Sequence, residues 1–168
     1  MKINNKDKNI VLIGFMGSGK TSVGKRLSLV LKREFIDTDD FIEKREGMTI
    51  NEIFKEKGEE EFRKIERELY KRFSTPKKKI IATGGGVIKN SANIANLKKG
   101  GVIVYLKSSP EKIAQNLKFD NTRPILQVDD KEAKIRELLA QREPFYNKYA
   151  EITIDVSNYD IDHTVDKI

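Results

Sequence analysis

Ile10-Val11-Leu12-Ile13-Gly14-Phe15-Met16-Gly17-Ser18-Gly19-Lys20-Thr21 passes from a short apolar run through a glycine-rich turn into a segment whose Val23, Leu27, Val30 and Leu31 recur at helical spacing. Four apolar residues stopped by glycine read as a buried strand, and the period that follows reads as a helix. A turn of this kind lets several backbone N–H groups point into one concavity, at the positive end of the helix dipole. Such a concavity suits phosphates. The pattern predicts that Gly17, Ser18, Gly19, Lys20, Thr21 and Ser22 hold the phosphates of a nucleotide. Lys20 is expected to reach the β- and γ-phosphates, and the Thr21 hydroxyl to ligate the Mg2+ that neutralises them.

The rest of the chain sets limits on what surrounds this loop. Its 168 residues predict one domain with a core of its own. There are no cysteines, which excludes a disulfide framework and a thiolate metal site. The polar start, Met1 to Lys8, carries no signal-peptide core, and no apolar run approaches membrane-spanning length, so a cytoplasmic protein is expected. The formal charge of +7 comes from lysines interleaved with glutamates. Its longest basic run, Lys77-Lys78-Lys79, sits beside Pro76 and reads as a solvated loop. Neither a nucleic-acid patch nor a membrane surface is expected.

Beyond the loop helix, Phe35-Ile36-Asp37 reads as a strand ending in a carboxylate, and Thr38-Asp39-Asp40 opens a helix closed by Gly47. Thr49-Ile50-Asn51-Glu52 has capping-box spacing and starts a brief helix that stops at Gly58. Glu59-Glu60-Glu61 opens a helix with Phe62, Ile65, Leu69 and Phe73 on one stripe. Ile80-Ile81-Ala82 is a third strand running into Thr83-Gly84-Gly85-Gly86, where three glycines suggest that something approaches the backbone closely. A helix over Ser91 to Lys99 and a strand over Val102 to Leu106 follow. Ser109-Pro110-Glu111 starts a helix that gives out near Leu117. Lys118 to Pro124 reads as a mobile surface loop, and Asp129-Asp130 caps a helix holding Ile135, Leu138 and Leu139 that should kink or end near Pro144. A fifth strand, Ile152 to Val156, and a tail helix from Asp160 complete the chain. This alternation predicts an α/β fold with a parallel sheet covered on both faces.

The loop names the cofactor and leaves the reaction open. Asn147-Lys148-Tyr149 is followed by Ala150 and precedes the last strand, so it does not make a guanine-reading motif. A small kinase passing a phosphoryl group to a metabolite remains. Asp39 is the candidate to bind an acceptor hydroxyl and take its proton, and Asp37 to hold Mg2+ through water. Arg63 and Glu66 share a helix face, and Arg142 is a third charged candidate. Arginines converging on one crevice would suit an acceptor carboxylate, although each alone also reads as a surface ion-pair residue.

Taken together, these residues resemble the shikimate kinase family. The set is Gly14 to Thr21, Asp37-Thr38-Asp39, Glu61-Phe62-Arg63-Lys64-Ile65-Glu66, Thr83-Gly84-Gly85-Gly86, Arg123-Pro124-Ile125-Leu126 and Arg142-Glu143-Pro144-Phe145-Tyr146, in the family's order. The resemblance implies transfer of the ATP γ-phosphate to the 3-hydroxyl of shikimate, a step of aromatic amino-acid biosynthesis, by a monomer using Mg2+. It implies a P-loop three-layer sandwich forming a single domain over 1–168, with a five-stranded parallel sheet of order 2-3-1-4-5. A helical substrate-binding region about 38–73 and a closing lid about 117–128 belong to that picture. Matched position by position, Asp39, Arg63, Gly84, Gly85, Gly86 and Arg142 correspond to the family's shikimate contacts, Asp39 as base and the arginines as a carboxylate clamp. Phe54 and Phe62 match apolar walls, and Arg123 matches the lid arginine that stabilises charge on the transferring group.

One position departs from the pattern. Where the family often carries an arginine that stacks on adenine, this chain has Asn116, which leaves Lys118 or the stretch around Ser157 and Asn158 as candidates for holding the base. Two rivals stand beside the resemblance. One is a kinase for another hydroxy acid such as gluconate, and the other is a catalytically silent nucleotide-binding module.

Overall fold

The computed structural model describes residues 7–118, 126 and 129–168. Five strands form one parallel sheet in the order β2-β3-β1-β4-β5, with β1 at Asn9–Ile13, β2 at Phe35–Asp37, β3 at Ile80–Ala82, β4 at Gly101–Lys107 and β5 at Ile152–Asp155. The central strand pairs Ile10, Val11 and Leu12 with Ile80, Ile81 and Ala82 on one side, and Ile10 to Ile13 with Val102 to Tyr105 on the other. A strand enclosed on both edges and both faces has no wet side, which is why β1 is apolar from Ile10 to Ile13.

Alternation along the strands divides the core in two. Val11, Ile13, Ile81, Ile103 and Tyr105 face one layer of helices, contributed by α2 (Thr38–Glu46), α3 (Ile50–Lys57), α4 (Glu59–Arg72) and α5 (Ser91–Gly100). Ile10, Leu12, Ile80, Val104 and Leu106 face α1 (Lys20–Leu31) and α8 (Ile161–Lys167). A third cluster joins Phe15 of the glycine-rich loop to α6 (Pro110–Asn116) and α7 (Lys131–Tyr149) through Ile113, Leu117, Leu126, Ile135, Leu138 and Leu139.

The caps follow the sequence signals. Asp37 Oδ1 accepts from the Asp40 N–H, Thr49 Oγ1 from Glu52, Ser109 Oγ from Lys112 and Asp130 Oδ1 from Ala133. Asn9, itself buried, ties β1 to the Lys77–Lys79 loop by accepting from two of its N–H groups at 3.0 Å. No helix among the described residues is long and apolar enough to cross a membrane.

The structure departs from the sequence reading in two places. Val30 and Leu31 are exposed rather than packed, because α1 buries only Val23, Gly24 and Leu27 against the sheet and its last turn runs past that contact to Lys32, at φ 54°. Helical spacing marks the buried face of a helix but not how much of its length the sheet covers. Of the kink or end expected near Pro144, the end does not occur: helix α7 continues to Tyr149. The missing proline N–H costs one intrahelical bond, and packing on both sides offsets it: Leu138 and Leu139 before the proline are buried, and Tyr146 after it stacks on Tyr105 with ring centroids 4.9 Å apart. The loop read over Lys118 to Pro124 lies outside the described residues beyond Lys118, as does most of the region about 117–128 read as a lid.

Candidate active site

The glycine-rich loop leaves β1 at Gly14 and enters α1 at Lys20. Phe15 to Ser18 closes as a turn, the Ser18 N–H donating to the Phe15 carbonyl at 3.1 Å, and Gly17 has the φ of +79° that the third residue of a type II turn requires. Gly19, at φ +92°, is the second position where a side chain would strain the backbone. The Lys20 ammonium donates to the Gly14 and Phe15 carbonyls at 2.6 and 3.1 Å, so the cation lies on the loop itself. Ser18 Oγ is buried and has no hydrogen-bond partner among the described residues. A hydroxyl left so is costly unless a ligand completes it. On the first turn of α1, Thr21 Oγ1 donates to Asp37 Oδ2 at 2.8 Å, which brings a hydroxyl from one segment and a carboxylate from another to a single point.

The second half of the site lies where β3 ends. Thr83 anchors the glycines, its N–H and hydroxyl both donating to the Leu12 carbonyl at 3.1 and 2.9 Å. Each glycine then meets a charged side chain. A Cβ at Gly84 would stand 2.8 Å from Asp39 Oδ1, at Gly85 3.3 Å from Arg142 Nη1, and at Gly86 3.0 Å from Arg63 Nη1. Any side chain there would displace the base candidate or one of the two arginines, which is the physical reason for three glycines in succession. The Arg142 guanidinium also lies over the Phe15 ring, 5.3 Å from its centroid, so the phosphate loop and the glycine floor share a wall. The Arg63 guanidinium lies over both Phe54 and Phe62, at 6.0 and 5.2 Å from their centroids.

Two buried tyrosines back this floor. The Tyr146 hydroxyl donates to the Gly85 carbonyl at 3.3 Å, and the Tyr70 hydroxyl lies 3.3 Å from Thr38 Oγ1, next to Asp39 in the chain. Burial pushes the pKa of both phenols up, Tyr70 well above its usual range, so both remain neutral hydrogen-bonding groups.

Charge on the acceptor side is arranged around Glu66, which is 2 % exposed. Its Oε1 accepts from Arg63 Nη1 at 2.9 Å. Burial raises the Glu66 pKa, and the attraction of Arg63, Lys89 and Arg67 opposes that rise. Lys89 is lowered by burial and by repulsion from Arg63 and Arg142, and the three cations around the buried carboxylate are Arg63, Lys89 and Arg67. Arg63 has a second carboxylate in Glu59 at 3.6 Å, whereas Arg142 Nη1 is buried with no hydrogen-bond partner among the described residues. A buried, unpaired guanidinium nitrogen calls for an anion. Beside Arg63 and Gly86 a cleft of about 410 Å³ opens, lined also by Glu59, Glu66, Arg67 and Lys89.

The structure therefore brings together Gly17, Ser18, Gly19, Lys20, Thr21 and Asp37 around the loop, and Asp39, Arg63, Arg142 and Gly84 to Gly86 around the floor. Ser22 lies exposed on the first turn of α1. Arg123 lies outside the described residues. Sequence reasoning missed the tyrosines behind the floor and Phe15 beneath Arg142. Only Tyr146 had a readable signal, since it stands four residues from Arg142 on one helix face. Ser157, one of the candidates for holding the base, has its Oγ accepting from the Ser109 N–H at 2.9 Å, and Asn116 turns toward the loop, with Nδ2 donating to the Gly17 carbonyl at 2.8 Å.

A parallel sheet with this strand order, a phosphate loop after its central strand and an arginine-lined acceptor floor beside it define an ATP-dependent phosphotransferase of the P-loop class. The shikimate kinase family model matches residues 16–168. This chain belongs to the shikimate kinase family. A shikimate kinase of Caldanaerobacter subterraneus subsp. tengcongensis is 50% identical over 161 residues, covering 96% of this chain and 94% of that protein. The structure of a shikimate kinase from Acinetobacter baumannii in complex with shikimate superposes with a TM-score of 0.89 at 40% identity, covering 95% of this chain and 89% of that one. A gluconokinase from Sinorhizobium meliloti shares the fold alone, with a TM-score of 0.55 at 15% identity over 98% of this chain and 90% of that one.

Proposed function

We propose that this chain transfers the γ-phosphoryl group of ATP to the 3-hydroxyl of shikimate, releasing ADP and shikimate 3-phosphate, in aromatic amino-acid biosynthesis through chorismate. The observation that carries this reading is the buried, unpartnered Arg142 Nη1 over Gly85, with Arg63 over Gly86 beside it. Two planar guanidinium groups above a floor without side chains fit a small ring bearing a carboxylate.

In this mechanism Arg63 and Arg142 bind the acceptor carboxylate, and Glu66 holds Arg63 in orientation through its 2.9 Å bond. The ring lies against Gly84, Gly85 and Gly86, and its hydroxyl faces Asp39 across Gly84. Asp39 accepts the hydroxyl proton as the oxygen attacks the γ-phosphorus, and the bond to the β-phosphate oxygen breaks with ADP as leaving group. Lys20 exchanges its loop carbonyls for the β- and γ-phosphates, while the N–H groups around Gly17 to Thr21 and the orphaned Ser18 hydroxyl hold them. Arg123 acts from the closing segment, adding charge stabilisation and, with closure, excluding water.

Mg2+ fits the residues present. Thr21 Oγ1 and Asp37 Oδ2, 2.8 Å apart, are the hard oxygen donors that cation takes, Thr21 directly and Asp37 through water. When bound, it neutralises the charge that builds on the transferring phosphate. We read the protein as a cytoplasmic monomer, and Leu29, Val30 and Leu31, exposed together on α1, mark the face to watch in a sizing experiment at increasing concentration.

The direct test is ADP release from Mg-ATP with shikimate, gluconate or no acceptor at equal enzyme. Release that depends on shikimate is expected. Release with gluconate alone would retain the nucleotide half of the account and discard the acceptor assignment, and release with neither would leave a nucleotide-binding module.

A further inference from the structure

The Gly17–Ser18 peptide is held at both of its polar ends. Its N–H donates to Phe15 within the turn at 3.1 Å, and its carbonyl accepts from Asn116 Nδ2 at 2.8 Å, across 99 positions of sequence. The neighbouring Leu117 closes off the same glycine from the side: a Cβ at Gly17 would stand 2.8 Å from Leu117 Cγ. Leu117 is buried among Phe15, Ile113 and Ile135, and its own carbonyl accepts from Lys131 Nζ at 2.9 Å, so the end of α6 that carries Asn116 is fixed in turn by α7. A peptide plane has a single rotational freedom about its flanking bonds, and fixing both its N–H and its C=O removes it. The residues that follow, Gly19, Lys20 and Thr21, carry the N–H groups at the start of α1.

We propose that Asn116 is a positioning residue of the nucleotide site, which orders the phosphate loop through the Gly17 carbonyl and does not read the base. The proposal rests on the assignment of Gly14 to Thr21 as the phosphate loop. The Asn116 Nδ2 donor is engaged by the loop, so an arginine at this position with its guanidinium stacked on adenine would give up this bond. Its effect therefore belongs to the polyphosphate shared by all nucleotides, and reaches ATP, ADP and inorganic tripolyphosphate alike. Preorganisation of this kind lowers the ordering cost of binding and leaves the acceptor floor untouched.

Titration calorimetry of ADP and of inorganic tripolyphosphate against the wild-type chain, Asn116→Ala and Asn116→Asp tests this, with shikimate affinity and melting temperature measured in parallel. Neither titration needs turnover, so the result stands apart from the acceptor assignment, which shikimate-dependent ADP release tests by itself. Asn116→Ala is expected to weaken both ligands by about fivefold, the loss of one hydrogen bond, with shikimate affinity and melting temperature unchanged. Asn116→Asp, which sets a carboxylate oxygen against the Gly17 carbonyl and near bound phosphate, is expected to weaken both by about tenfold or more. Weakened ADP with unchanged tripolyphosphate would overturn the proposal by placing Asn116 on the base. Unchanged affinity for both, or an equal loss for shikimate and tripolyphosphate with a lower melting temperature, would overturn it as well.

Discussion

In the function proposed above, the phosphate loop and the acceptor floor, which share the wall made by Phe15 and Arg142, recognise anions by opposite means. The loop is contiguous and works largely with main chain: Gly17 and Gly19 take backbone angles that other residues adopt at a cost, and the N–H groups that result are specific for phosphate and indifferent to sequence elsewhere. The floor is assembled from α2, α4, the end of β3 and α7, and works with side chains held over glycines. Contiguous backbone recognition suits a ligand part common to all nucleotides. Dispersed side-chain recognition suits the part that must be discriminated, because each contact can be set independently.

This contrast predicts that substitutions on the two sides separate kinetically, and the largest effect should come from the group at the chemical step. Asp39→Asn keeps the side chain's shape above Gly84 and removes the proton acceptor; kcat is expected to fall by about 10²–10⁴-fold with ATP affinity preserved, measured by steady-state kinetics and nucleotide titration. Near-normal kcat would remove Asp39 from the base role. Next comes Arg142→Lys, which keeps the charge and gives up the planar fork. KM for shikimate is expected to rise by roughly 10- to 100-fold, the range for hydrogen bonds to charged groups, while KM for ATP changes little. A matching rise in both constants would mean that the shared wall does not divide the site.

The smallest effect expected is on stability. Burial raises the pKa of Glu66 above its ordinary 4.5, so between 4.5 and the folded value the folded chain holds a proton there that the unfolded chain has released. The stability this contributes is complete below 4.5 and is lost as pH rises through the folded value. Glu66→Gln lacks that loss. Its melting temperature relative to wild type should therefore move in the variant's favour between pH 4.5 and neutrality, as followed by thermal denaturation. A shift in the opposite direction would show that Arg63 outweighs burial at this carboxylate.

The same contrast explains what could be read from the sequence. Strand, turn and helix around Gly14 to Thr21 are local, and β1, its glycines and α1 fall where the pattern puts them. The caps at Thr49, Ser109 and Asp130 are equally local. Arg63 beside Glu66 was readable because helical spacing places the pair on one face. The convergence of Arg63, Arg142 and Asp39 on three glycines was not readable from spacing, since it depends on how separate segments fold together, and the family resemblance supplied it. Tyr70 and Phe15 carry no sequence mark that separates them from core aromatics, and the course of α7 through Pro144 is decided by the packing of Tyr146 on Tyr105. Packing between distant segments leaves no period in either one.

The central claim is that the arginine clamp and Asp39 present one particular hydroxyl of shikimate to ATP, and the identity of the product tests it most directly. Phosphorus and proton NMR of the product formed from shikimate and Mg-ATP should show a single phosphate monoester coupled to the proton at ring position 3, with ADP in equal amount. A phosphate on another hydroxyl, a mixture of positions, or ADP accompanied only by inorganic phosphate would contradict the account.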